Sequence, residues 1–330
     1  MAICFARKGI IGWAAALGGT VILALALSAA ITLRPSIHSY DRASTGKGAQ
    51  PLSIHYFGTS TLALVRDGEA LVIDGFFSRP SLVKLAQPLR PDTGRIEGAL
   101  DGAGIQKVSA VLVGHSHYDH ALDAASVART YGGEVWGTYA TARIAAAEGF
   151  QHSRVLMPSV PEIAGGAVVT PFSLRHSPGG RAMGDVARAF TVPARVGDYR
   201  FGRGLGFHIH SGDCRIMVVP SAGLPEQDLS GLRSDVVFLA IGQLGLQDTD
   251  YIRRYWDSVV VASGAKWVLP THWDDFTRSL DRSLVPLPYA VDRIDKAIAA
   301  LSMLAGDGIE IVMPVSGAAM DLPPLRQCSG

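Results

Sequence analysis

The chain has 330 residues, 48% of them hydrophobic and only 18% charged, with a formal net charge of +1. That length can bury a large core, as one domain or as two fused halves. The even charge balance lacks the basic excess that marks a nucleic-acid-binding surface, so no nucleic acid is expected as a partner.

The first predicted element is residues 9–33, a run without a charged residue between Arg7-Lys8 and Arg34-Pro35. As a helix it would be about 37 Å long, enough to cross a bilayer core of about 30 Å. It reads as a transmembrane anchor; the alternative is a cleavable signal segment, with small residues such as Ser28-Ala29-Ala30 near its end. Arg7 and Lys8 place residues 1–8 on the cytoplasmic side and the main domain outside, although Arg34, Arg42 and Lys47 nearly balance them. The expectation is a membrane-anchored protein with the membrane as one partner. Cys4, Cys214 and Cys328 do not decide the compartment: the last two could pair in an oxidising one, and free thiols are the default reading.

Residues 34–50 are polar and irregular and read as a tether, with the folded domain running from 51 to 330. Residues 53–57, 61–65 and 70–73 are short β-rich segments separated by Gly58-Thr59-Ser60 and Arg66-Asp67-Gly68, an antiparallel meander. Asp74 closes the third; it is either a turn residue or a carboxylate that orients a metal ligand. After a proline-broken stretch and a short helix over 96–103, the apolar run 108–113 predicts a buried strand.

That strand delivers Gly114-His115-Ser116-His117-Tyr118-Asp119-His120. Three imidazoles and a carboxylate within six positions, on a loop held by a rigid strand, suit a borderline-soft divalent ion such as zinc. Helical spacing over 121–131, a strand at 135–137 and a helix over 141–148 continue a β-α-β-α alternation, which predicts a layered α/β domain. Further on, strands are expected at 167–172, 206–211 and 215–219, and amphipathic helices from Asp248 to Gly264 and over 291–304.

These residues resemble the metallo-β-lactamase superfamily, whose H-x-H-x-D-H signature is matched in full by His115, His117, Asp119 and His120. The resemblance covers roughly residues 54–276. It implies a four-layer αβ/βα sandwich of two similar halves, with one or two metal ions at the edge between the sheets; no internal repeat in the sequence shows this duplication. It also implies two further ligands, which His176 and His272 fit, each at a strand-to-loop exit. The family's metal-bridging Asp is replaced by Ser221, and Asp213 lies at the wrong end of that strand. A subgroup with Ser at this position holds its second metal by Asp, His and His, which Asp119, His120 and His272 match, leaving hydroxide alone to bridge.

On this reading the cofactor is zinc, one or two ions, with manganese or iron as alternatives. A zinc-bound water with its pKa lowered toward about 7 is the nucleophile, and Asp119 is the catalytic residue that binds and orients it. Tyr118 is either an acid or a packing residue. Arg175, Arg181 and Arg188, on an expected loop over the site, are either contacts to a phosphate or carboxylate or ordinary exposed arginines. His208 and His210 alternate on one strand face and are either a pair of ligands or a solvated or hydrogen-bonded strand face. Within the superfamily, the His-Ser-His-Tyr-Asp-His and Thr-His-Trp-Asp-Asp-Phe segments are similar to the branch with L-ascorbate-6-phosphate lactonase and N-acyl-phosphatidylethanolamine phospholipase D. The expected activity is therefore hydrolysis of a phosphodiester, lactone or related ester or amide bond in a small-molecule or lipid-like substrate. The alternatives are a non-catalytic, metal-stabilised binding module and a β-lactamase-type amidohydrolase.

Overall fold

Apolar residues alternate between two cores along the first strands, and this alternation sets the layers. Leu62, Leu64, Leu71 and Ile73 join one hydrophobic cluster, whereas Ala63, Ala70 and Val72 join another. The structure is a computed structural model that describes Ser28, residues 32–46 and residues 52–326.

The first sheet is built from β1 (Ser44–Thr45), β2 (Ser53–Tyr56), β3 (Leu62–Arg66), β4 (Glu69–Ile73), β5 (Lys107–Leu112), β6 (Glu134–Gly137) and β7 (Ser153–Val155). Helices α1 (Thr93–Gly102), α2 (Tyr118–Ala121), α3 (Ala124–Tyr131) and α4 (Tyr139–Ala147) lie between its later strands in sequence. The second sheet contains β8 (Glu162–Ala164), β9 (Ala167–Leu174), β10 (Gly204–Ser211), β11 (Cys214–Val219), β12 (Val236–Ala240), β13 (Trp267–Thr271) and β14 (Glu310–Ile311). It is accompanied by α5 (Thr249–Trp256) and α6 (Ile294–Ala305). The last strand, β15 (Ala319–Asp321), returns to the first sheet and sits between β1 and β2.

One cluster fills the space between the sheets and continues under α5 and α6. The other lies between the outer face of the first sheet and α1, α3 and α4. The order is helix, sheet, sheet, helix, as expected. The duplication that the sequence hides is plain in the strand pairing. β2, β3 and β4 pair antiparallel, and β4 to β7 continue in parallel. β9, β10 and β11 likewise pair antiparallel, and β11 to β14 continue in parallel. Asp74, the His115–His120 loop, Ser221 and His272 follow β4, β5, β11 and β13, at the carboxyl ends of strands where open α/β sheets bind their ligands.

Four expectations are corrected. No helix among the described residues is long and apolar enough to cross a membrane, which overturns the membrane-anchored placement; most of residues 9–33, on which it rested, lies outside the described residues. The supposed tether is part of the fold over residues 34–46: Ile37 and Ala43 are buried and β1 pairs with β15. Cys214 is disulfide-bonded rather than free, and Cys4 and Cys328 both lie outside the described residues. The helix expected over 121–131 breaks into α2 and α3. There the buried Asp123 carboxylate accepts from Phe77 N (2.8 Å), Ser78 N (2.6 Å) and Ser78 Oγ (2.5 Å).

Candidate metal centre

β5 is apolar and buried over its last strand residues, so the loop that follows starts from a fixed point. Val113 N extends the ladder by bonding Trp136 O at 2.8 Å. Gly114 then passes so close to Pro220 that a Cβ would meet its ring at 2.6 Å, and no other residue fits there. Its N–H donates to Asp74 Oδ1 at 2.6 Å. His117, with φ −63° and ψ 154°, is the N-cap of α2. His115 and His117 therefore stand on the loop, while Asp119 and His120 belong to the first helical turn.

The six expected ligands come together as two groups. His115, His117 and His176 have ligand atoms within 4.8 Å of one another, and so do Asp119, His120 and His272. His115 Nε2 lies 3.1 Å from His117 Nδ1. Asp119 Oδ2 lies 3.6 Å from His120 Nε2 and 3.4 Å from His272 Nε2. The rings of His115 and His120 are 3.8 Å apart, so the groups are neighbours.

The outer nitrogens of three of the imidazoles have partners, which fixes the inner ones. His120 Nδ1 bonds Asp74 Oδ2 at 2.8 Å, and Ser60 Oγ donates to the same oxygen at 2.5 Å. His117 Nε2 bonds Ala182 O at 3.3 Å, and His176 Nδ1 bonds Ser177 O at 2.9 Å. Metal-binding histidines are oriented in this way, with the far N–H given to a carboxylate or carbonyl. Five imidazoles and one carboxylate, so oriented, fit a borderline-soft divalent ion.

His272 is held differently. It has φ +56°, and its N–H donates to Thr59 O at 2.5 Å. Thr59, itself at φ +52°, gives its N–H to Asp274 Oδ1 at 2.6 Å. The other oxygen of Asp274 receives Arg79 in an ion pair with both side chains fully buried. Arg79 also donates to Arg278 O at 2.6 Å and Asp275 O at 2.9 Å, and Tyr56 Oη donates to Asp274 at 3.3 Å. Gly58 leaves room for this pair, since a Cβ there would lie 2.3 Å from the Arg79 guanidinium. Thr59, Asp74, Arg79 and His272 all adopt positive φ, a concentration of strain that the surrounding bonds must hold.

Electrostatics agree with a metal-ready site. Burial lowers the pKa of His115, with neighbouring imidazoles adding to the effect, and burial likewise lowers His117 and takes His176 to about 4. These rings are therefore neutral donors at physiological pH. Burial opposes ionisation of Asp119, but His120 and His272 outweigh it and hold the carboxyl well below its ordinary range. Burial would also lower His120, yet Asp74 and Asp119 raise it.

Asp74 proves to be both a turn residue and the carboxylate behind His120. Ser221 is buried, and its hydroxyl accepts from Ser177 N at 3.1 Å, so it braces the loop of His176. Tyr118 packs its ring against Phe76 and Phe276 and is largely buried, which raises its hydroxyl above the ordinary tyrosine value. His208 bonds Arg233 O at 2.9 Å, and neither it nor His210 enters a ligand group among the described residues. The sequence reading missed Phe201, whose ring lies 5.2 Å from those of His115 and His176 and 6.0 Å from His117. It also missed Ser60, Thr59, Arg79 and Asp274; only Asp274, two residues after His272, carried a positional hint.

The family description of the metallo-beta-lactamase superfamily matches residues 56–219. The segment so matched, residues 56–219, belongs to that superfamily. No curated protein matches the sequence. Among solved structures, it is similar to unliganded yeast PDE1 at 10% identity and a TM-score of 0.51, covering 83% of this chain and 100% of that one. It is similar to CmlA, a diiron beta-hydroxylase from Streptomyces venezuelae, at 15% identity and a TM-score of 0.51, covering 83% of this chain and 55% of that one. A possible metal-dependent hydrolase from Veillonella parvula has 18% identity and a TM-score of 0.49, with 83% and 100% covered. At these identities the likeness is one of fold.

Proposed function

We propose that His115, His117 and His176 hold one divalent ion and that Asp119, His120 and His272 hold a second. We further propose that the site hydrolyses a phosphodiester, lactone or related ester or amide bond in a small-molecule substrate. Zinc is the first choice of ion and iron or manganese the alternatives. The observation that carries the reading is the pair of three-residue ligand groups, with the outer nitrogens of His117, His120 and His176 tied to protein acceptors.

Bound ions would supply activated water at neutral pH and polarise the bond under attack. The chain's own part is to place them and to manage water and protons. Asp119, ionised and between two imidazoles, can accept an O–H of the attacking water and orient it. Phe201 covers the three-histidine group and limits solvent there. Tyr118 keeps its proton and serves packing, so we assign it no proton transfer. The branch of lactonases and phospholipases D remains the favoured comparison, carried by the Thr271-His272-Trp273-Asp274-Asp275-Phe276 segment.

The test is metal counting on the full chain, followed by a panel of phosphodiester, lactone and β-lactam substrates with zinc, manganese and iron. Hydrolysis of at least one class, lost in His117→Ala, is the expected result. A metal-loaded protein inert across the panel would sink the proposal.

A further inference from the structure

Segment 175–203, between β9 and β10, carries six arginines and two aspartates, a formal +4 in a chain whose total is +1. It is tied down over the site. Phe201 N bonds Ala182 O at 2.9 Å, Gly202 N bonds Gly184 O at 2.8 Å, and Ser116 N, inside the signature loop, bonds Phe201 O at 3.3 Å. A cavity of about 780 Å³ opens beside His176. Leu174, Met183 and Phe201 give it an apolar side, and Arg175, Arg203 and Glu226 reach it from the rim.

Arg175 and Arg203 are the residues next beyond the last ladder pair, Leu174 with Gly204, so two guanidinium groups start from facing positions. Like charges facing across an antiparallel pair repel unless something lies between or beside them. Arg175 has Glu226 at 3.4 Å. Arg203 is exposed, and no carboxylate among the described residues pairs with it.

We infer that the substrate carries an anionic group, phosphate-like or carboxylate-like, attached to an apolar portion, and that Arg203 receives that group at the mouth of the cavity beside His176. This rests on the hydrolase reading and names the class of molecule it acts on. A guanidinium fixed at its backbone offers a planar fork matched to either oxyanion. The surplus positive charge of the whole segment draws such molecules toward the site. The apolar wall takes the remainder of the substrate.

The experiment is calorimetric titration of the zinc-loaded full chain with phenylphosphonate and with benzoate, at low and high sodium chloride. At least one anion is expected to bind, more weakly in high salt. Arg203→Gln should lose about tenfold in affinity, and Arg203→Lys about threefold or less, with zinc content and melting temperature unchanged in both. The tighter of the two probes identifies the oxyanion. Affinities of Arg203→Gln within about twofold of the unmodified chain for both probes would overturn the assignment. Binding is read without turnover, so the two readings fail separately. Hydrolysis with Arg203-independent binding overturns the anion site alone, and Arg203-dependent binding in an inert protein overturns the hydrolase reading alone.

Discussion

Replacing Asp274 with Asn should both destabilise the fold and loosen one metal group. The ion pair with Arg79 is fully buried, and Asp274 also takes the N–H of Thr59 and the hydroxyl of Tyr56. Asn keeps the shape and one acceptor oxygen but leaves the guanidinium without its counter-charge. Breaking one side of a buried pair costs about 3–5 kcal/mol. At about 2.1 cal/mol/K of unfolding entropy per residue, a chain of 330 residues shifts by roughly 1.4 °C per kcal/mol, so the melting temperature should fall by roughly 4–7 °C. Thr59 would relax next, and with it the carbonyl that receives His272 N. A metal competition titration should then show weaker binding at the Asp119, His120 and His272 group, by about 10–100-fold as for other supporting residues. Arg79→Met combined with Asp274→Leu separates the two effects, because an apolar pair of similar volume can restore stability without restoring the Thr59 bond. The reasoning is refuted if Asp274→Asn melts within about 1 °C of the unmodified protein and binds metal unchanged.

His115→Ala and His272→Ala should each reduce metal content from about two ions per chain to about one, read by elemental analysis; loss of both ions from either variant would mean a single shared site. Asp74→Asn, which weakens the anchor of His120 Nδ1, should cost about 10–100-fold in metal affinity at that group by chelator competition. Ser221→Ala removes the acceptor of Ser177 N and should cost about 1 kcal/mol of stability by denaturant titration, a change that an unaltered midpoint would contradict. Glu148 has a buried oxygen without a hydrogen-bond partner, and burial raises its pKa to about 8, with Asp123 adding to the effect. An acid whose pKa is higher folded than unfolded loses stability as pH rises between the two values, here from about 4.5 to about 8. Glu148→Gln should therefore melt higher than the unmodified protein at pH 8–9, with the gap closing toward about pH 4.5; a gap independent of pH would rule this out.

The parts of this molecule legible in the sequence were those governed by local pattern. Alternation marked β2 to β4, the run 108–113 marked β5, and the spacing of His115, His117, Asp119 and His120 marked the cluster of residues that could hold a metal ion. His176 and His272 needed the family resemblance, because a lone histidine after a strand has no local signature. What stayed hidden depends on contacts between distant residues. Arg79 reaches Asp274 across 195 positions, and neither neighbourhood announces a buried ion pair. Phe201 sits in an irregular segment, and only the closure of that segment over Ser116 brings it to the histidines. The membrane reading failed for a related reason: an uncharged run is a statement about composition, and no helix of that kind appears among the described residues.

The position of β15 bears on how the molecule is assembled. It lies between β1 and β2, so residues 44–45 meet the first sheet only through a strand contributed by residues 319–321. During synthesis the β2 edge must wait, unpaired on that side, until residues 319–321 have emerged, and such an edge is a template for wrong partners. Arg34 is fastened to Asp275 at 2.9 Å, three positions beyond His272, so the same late closure reaches the rim of the metal centre. Removal of residues 44–45 or 319–321 is thus an intervention in the first sheet, and in the order in which the site becomes complete.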